Sequence, residues 1–164
     1  MQLTTEIEKT LALMQEVDGL EWFSTGDSNK DDIRIWEGTE EGMKENWGDY
    51  LMENEGSDEE TLSFEEWLED NGTEVDVEEY DENNSDWLVC TDSEADYEWD
   101  RALDNYLDDC VLPDLPKTLQ HYFDKESWKS DARMDGRGHS LSSYDGYEQE
   151  QEVNGTTYYL YRQN

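Results

Sequence analysis

Positive charge is scarce in this chain of 164 residues: 11 Lys and Arg stand against 46 Asp and Glu, for a formal net charge of −35. Gripping a phosphate backbone requires clustered Lys and Arg, so direct binding to nucleic acid is excluded on electrostatics. Cysteine is nearly absent. Cys90 and Cys110 have no neighbouring His or Cys, which rules out a zinc pattern and a disulfide framework and leaves two thiols expected to be free and buried. With only two histidines, His121 and His139, and no Ser or Cys in a nucleophile turn, no catalytic triad is readable. Long hydrophobic runs are missing too. No stretch approaches the ~20 apolar residues of a membrane span, and no basic segment precedes an apolar one at the N-terminus, so the chain reads as soluble and intracellular.

Aromatic residues are plentiful. Disordered acidic segments lack them, whereas this chain holds 7 Trp, 10 Tyr and 3 Phe, many at spacings that a helix buries together, so a folded protein with an aromatic core is expected. The acidity is also uneven. Residues 37–100 carry 26 Asp and Glu against the single cation Lys44, net −25, while residues 101–164 carry 12 against 7, net −5. A field of one sign extends into solvent, and the surface it most resembles is nucleic acid. Duplex DNA presents one charge per ~1.7 Å of axis, so −35 corresponds to roughly 60 Å of duplex. A compact chain of this length has a radius of gyration of only about 15 Å, so a faithful mimic would be elongated or a homodimer.

Helix and strand signals alternate along the chain. Thr5 and Glu8 have capping-box spacing ahead of Ile7, Leu11, Met14 and Val17, with Gly19 as a stop, predicting a helix over 5–18. A turn at Gly26–Asn29 leads to a short half-buried strand over 31–36. Thr39 caps a second helix carrying Met43, Trp47, Tyr50 and Leu51, and Ser63 with Glu66 opens a third that ends near Gly72. Val75 and Val77 read as the start of a strand, followed by an acidic loop over 78–86 and a buried strand at Trp87–Cys90. Thr91 and Glu94 open the strongest helix, whose stripe is Ala95, Trp99, Ala102, Leu103, Tyr106 and Cys110. Pro113 and Pro116 end it. Short helices over 116–122 and from Asp124 to Met134 follow, and Asn154-Gly155 turns a closing hairpin.

Chemistry-bearing motifs are weak. With 46 carboxylates, some pair always resembles a glycosidase dyad or a metal cluster by chance. Asp27, Asn29 and Asp31 begin like a calcium loop, but Asp32 stands at its sixth position and Gly38 at its twelfth; Asp81, Asn83 and Ser85 fail in the same way. The run from Asp135 to His139 lacks a Walker lysine and a nucleotide fingerprint, and reads as a flexible turn between helix and sheet. His121, beside Tyr122 and Phe123, reads as a packed or surface residue. No catalytic residue, metal site or cofactor is expected.

The segment ALDNYLDDCVLPDLPKTLQHYFDKESWKSDARMDG, residues 102–136, resembles the C-terminal domain of the ArdA antirestriction proteins. The matching positions are Leu115, Pro116, Leu119, Tyr122 and Asp124, with Trp128 and Asp131 in the following helix, an ordered string of aromatic, proline and acidic residues. The first hundred residues lack that family's opening strand, and the tail adds the 137–145 loop and a hairpin. The resemblance implies a protein of phages or mobile elements, built of small α/β domains in a curved acidic rod, that acts in the host cytoplasm on type I restriction enzymes by occupying their DNA site.

Together these features predict an α+β fold of short helices and small antiparallel sheets in two or three subdomains, elongated and acidic. Its expected regions are 1–36, 37–100 and 101–164. The expected function is that of a non-enzymatic DNA mimic whose partner is a host DNA-binding or restriction complex with a basic cleft. The alternative is a halophilic or generic acidic interaction module. By charge density the partner-binding surface is assigned to Glu65, Glu66, Glu69, Asp70, Glu74, Asp76, Glu78, Glu79, Asp81 and Glu82.

Overall fold

The computed structural model describes residues 3–26, 33–57, 59–83 and 86–164, and the side chains of 81–83 lie outside that description. The fold is α+β, with short helices and two small antiparallel sheets. The chain divides into two units, Met1–Asn83 and Asn84–Asn164. The expected boundaries near 36 and 100 are not the ones found. Strand pairing joins residues on either side of position 36 to one sheet, and a single helix runs through position 100.

The first unit opens with α1, Thr5–Asp18. Its cap is Thr4, one residue earlier than the capping-box spacing predicts: the Thr4 hydroxyl accepts from the Ile7 N–H, and Gly19 closes the helix at φ 65°. Glu8, the expected box partner, is instead buried. Strand β1, Trp22–Thr25, which the sequence reading overlooked, pairs antiparallel with β2, Arg34–Glu37. β2 is buried on both faces rather than half-buried. Trp36 lies opposite Phe23 and packs with Trp67 and Leu68, while Ile35 faces the other way toward Ile7, Val75 and Val77.

Helix α2, Glu40–Glu53, and helix α3, Phe64–Asn71, begin at the predicted caps Thr39 and Ser63. Both set large hydrophobic side chains against Phe23 and Trp36: Met43, Trp47 and Tyr50 from α2, Phe64 and Trp67 from α3. The expected strand at Val75 reduces to one bridge, Glu74 opposite Trp36, with the Val75 N–H donating to the Ile35 carbonyl. The expected acidic loop is a helix, α4, Val77–Asn83, because the Asp76 carboxylate accepts the Glu79 N–H and so caps a segment that composition alone reads as solvated loop.

The second unit is built on a three-stranded sheet in the order β3 (Trp87–Cys90), β5 (Thr156–Arg162), β4 (Gln149–Val153). Asn154 and Gly155 take φ 53° and 84°, the paired left-handed geometry of a type I′ hairpin. Tyr158, Leu160 and Tyr161 of β5 are almost wholly buried. Helix α5, Asp92–Tyr106, starts with a reciprocal capping box between Thr91 and Glu94. Its last turn widens into a π-helical turn over Leu107–Val111 before a 3-10 turn at Leu112–Asp114 that contains Pro113. The wider turn shifts the helical phase, so Leu107 is buried and Cys110 is exposed. Of the two thiols expected to be buried, only Cys90 is. After α6, Lys117–Gln120, come α7, Lys125–Ala132, capped by Asp124, and α8, Arg137–Leu141. The predicted flexible turn is therefore a helix, and its Gly138 sits so close to the 146–148 backbone that a Cβ would lie 2.7 Å from the Gly146 carbonyl oxygen.

Candidate functional site

The acidic face of the first unit is presented by α2 and α3, and aromatic packing beneath them sets its geometry. The Trp47 indole N–H donates to the Leu62 carbonyl at 3.0 Å, the Leu62 N–H donates to the Tyr50 hydroxyl at 3.1 Å, and Trp47 packs on Phe64 at 5.6 Å. These contacts clamp Leu62 to α2 and so place α3 beside it. With its apolar residues turned inward, α2 exposes Glu41, Glu45, Asp49 and Glu53, each four residues from the next. Residues at that spacing lie on one face about 6 Å apart, close enough to repel. Among the described residues, the ion pair on α2 joins Lys44 to Glu40, at 3.0 Å. The ladder itself is uncompensated among the described residues.

The residues assigned from sequence density fall into four groups. Glu65, Glu66 and Asp70 are exposed on α3, opposite the buried Trp67 and Leu68, and Glu78 and Glu79 are exposed on α4. Glu69 and Glu74 are not free charges. Arg34 reaches Glu69 at 2.9 Å and grips Glu74 with two nitrogens at 2.9 and 3.3 Å, lying 4.6 Å over Trp36. The hydrogen bond to Glu74 leads the effects that hold this guanidinium above its ordinary pKa. Asp76 is occupied as the α4 cap. The side chains of Asp81 and Glu82 lie outside the described residues, as do the calcium-loop candidates Asp27, Asn29, Asp31, Asp32 and Ser85 and the side chain of Asn83. The α2 ladder escaped a search by density because its acids are diluted by core residues; a search at period four would have found it.

The second unit spends its cations internally. Arg137 donates to Glu148 at 2.8 Å, Asp92 at 2.9 Å and Asp96 at 3.0 Å, and lies 4.4 Å over the Tyr159 ring. Burial opposes its charge, but these acceptors outweigh that and raise its pKa. The Tyr161 hydroxyl donates to Glu148 at 2.6 Å; burial, then that carboxylate, keeps the phenol protonated. Lys129, buried on α7, reaches Asp104 at 2.6 Å and Asp100 at 3.0 Å on α5, and Arg133 reaches Asp100 at 2.8 Å. This clamp sets the register of α7 against α5. By unit, residues 1–83 hold 28 Asp and Glu against 4 Lys and Arg, net −24, and residues 84–164 hold 18 against 7, net −11.

His121 is exposed beside the Tyr122 ring, and His139 lies on α8, away from any nucleophile pairing among the described contacts. Among the described residues no three His, Cys, Asp or Glu side chains are grouped to hold a metal ion, and no helix is long and apolar enough to cross a membrane. No family model, curated protein or solved structure matches the chain.

Proposed function

We propose that the protein is an acidic DNA mimic that inhibits a host DNA-binding defence enzyme by occupying its basic cleft. The observation that carries this reading is the exposed ladder Glu41, Glu45, Asp49 and Glu53, continued on α3 by Glu65, Glu66 and Asp70, in a unit of net −24 where Arg34 and Lys44 are tied into ion pairs with other acids. With Glu40 paired to Lys44, the ladder places one uncompensated acid every four residues of α2. At 1.5 Å per residue that is roughly one charge per 6 Å, a sparser row than the ~3.4 Å of one DNA strand, to which the acids of α3 add. A cleft that grips phosphates reads charge and spacing before it reads bases, so such a face competes without sequence information. The resemblance of residues 102–136 to ArdA antirestriction proteins directs the proposal toward type I restriction complexes, acting in the cytoplasm of a phage-infected or plasmid-bearing host.

The test is competition with duplex DNA for a purified type I restriction complex across a salt series. The expected result is displacement of DNA and loss of cleavage at 50 mM salt, with apparent affinity falling roughly tenfold or more by 200 mM, as for an interface dominated by charge. Absence of competition at 50 mM, for this complex and for a panel of DNA-binding proteins, would overturn the reading.

A further inference from the structure

We propose that a cavity of about 360 Å³ between α5, α7 and α8 receives an arginine side chain presented by the protein partner. Its volume lies at the small end of the roughly 300–1,000 Å³ range of ligand sites, suited to one long side chain. Ala102, Leu103 and Ala132 give it apolar walls, and Tyr106 and Trp128 supply two nearly parallel rings, 5.9 Å apart and 11° from coplanar. Asp135 lies at the cavity with its carboxylate outside every ion pair of the unit, whereas Lys129 and Arg133 on the same side are turned to Asp100 and Asp104. Tyr106 is 55% exposed, so part of the cavity's aromatic wall stands in water. Aromatic faces attract cations, a planar guanidinium stacks on them, and its fork matches a carboxylate. Lysine makes neither the stack nor the fork. Charge complementarity therefore selects arginine as the occupant, carried by a surface whose basic character rests on the DNA-mimic reading.

The full ¹⁵N-labelled chain is titrated with Ac-Gly-Arg-Gly-NH2 and Ac-Gly-Lys-Gly-NH2 in 0.5 M NaCl, where long-range attraction to the acidic face is screened to a few ångströms. The arginine peptide is expected to give saturable shifts at the Trp128 indole and at Ala132, Asp135 and Ser140, with the lysine peptide at least threefold weaker. Asp135→Asn and Tyr106→Ala, both at exposed side chains, should each weaken the arginine peptide at least threefold while the rest of the spectrum holds. Shifts that do not saturate, or that are equal for the two peptides and indifferent to Asp135→Asn, overturn the proposal. If the peptide fails while competition with DNA succeeds, the pocket falls and the mimic stands. If the peptide binds while competition fails, the pocket stands and its arginine belongs to a partner other than a DNA-binding enzyme.

Discussion

Arg137 shows how a chain with so few cations uses each of them. The side chain is 12% exposed and satisfies Asp92, Asp96 and Glu148 together while its guanidinium lies over Tyr159, so it ties α8 to α5 and to the sheet. Removing it strands three carboxylates, one of them half-buried. Arg137→Met is expected to destabilise the second unit by about 1–3 kcal/mol in urea unfolding, since only Glu148 among the stranded carboxylates is shielded from water, and Arg137→Lys to recover only part, because an ammonium lacks the fork. Asp100 provides a pH test. Its pKa is lowered from 3.8, first by the hydrogen bond from Lys129, so its contribution to stability is complete above the unfolded-state value and is lost as pH falls through the folded one. Lys129 is raised from 10.5, first by Asp104, so its contribution is lost only as pH rises through its folded value. The stability difference between wild type and Asp100→Asn should therefore be constant from about pH 5 to 9 and shrink below about pH 4. A difference that does not fall at all as pH drops below about 4 would contradict the pairing.

At the scale of elements, α2 carries a conflict. Three successive like-charge pairs at i,i+4 work against the helix, by about 0.2–0.5 kcal/mol each, and among the described residues no cation relieves them. The quadruple variant Glu41→Gln, Glu45→Gln, Asp49→Asn, Glu53→Gln is expected to be more stable than wild type by about 0.5–1.5 kcal/mol and to compete with DNA at least tenfold less well. Single substitutions should change competition less than twofold, since one exposed charge contributes little. Denaturant unfolding and the competition assay, run on the same samples, separate a functional ladder from a structural one. Loss of competition together with loss of stability would mean that the acids hold α2 in place.

For the whole molecule, the two units divide the charge without leaving the second one neutral. The first holds the larger excess, and most of its ladder is solvent-facing; the second, at net −11, binds several of its acids to Lys129, Arg133 and Arg137. A block neutralisation in the second unit at Asp108, Asp109, Asp114 and Glu126, all exposed, is expected to weaken competition less than threefold, against tenfold or more for the α2 block. Equal losses from the two blocks would show that net charge, not its placement, sets affinity. Stability at ordinary ionic strength bears on the same scale. Folding that persists in 50 mM salt, followed by circular dichroism, is the expected behaviour of an inhibitor, whereas unfolding there would mark a salt-adapted protein.

Local chemistry is what the sequence determined. Caps at Thr39, Ser63, Thr91 and Asp124 bind N–H groups three residues on, and Asn154-Gly155 adopts backbone angles that few other pairs accept, so these boundaries were legible without a fold. The α+β class and the acid excess were legible for the same reason. Only the tertiary structure decided which acids are free. Arg34 takes up Glu69 and Glu74 across 35 and 40 residues, Arg137 gathers Asp92 and Glu148 from opposite sides of its own position, and Asp76 turns an apparent loop into α4. Charge counted along a chain says nothing about partners distant in sequence, and the side chains that cancel it come together only when the aromatic clusters fold.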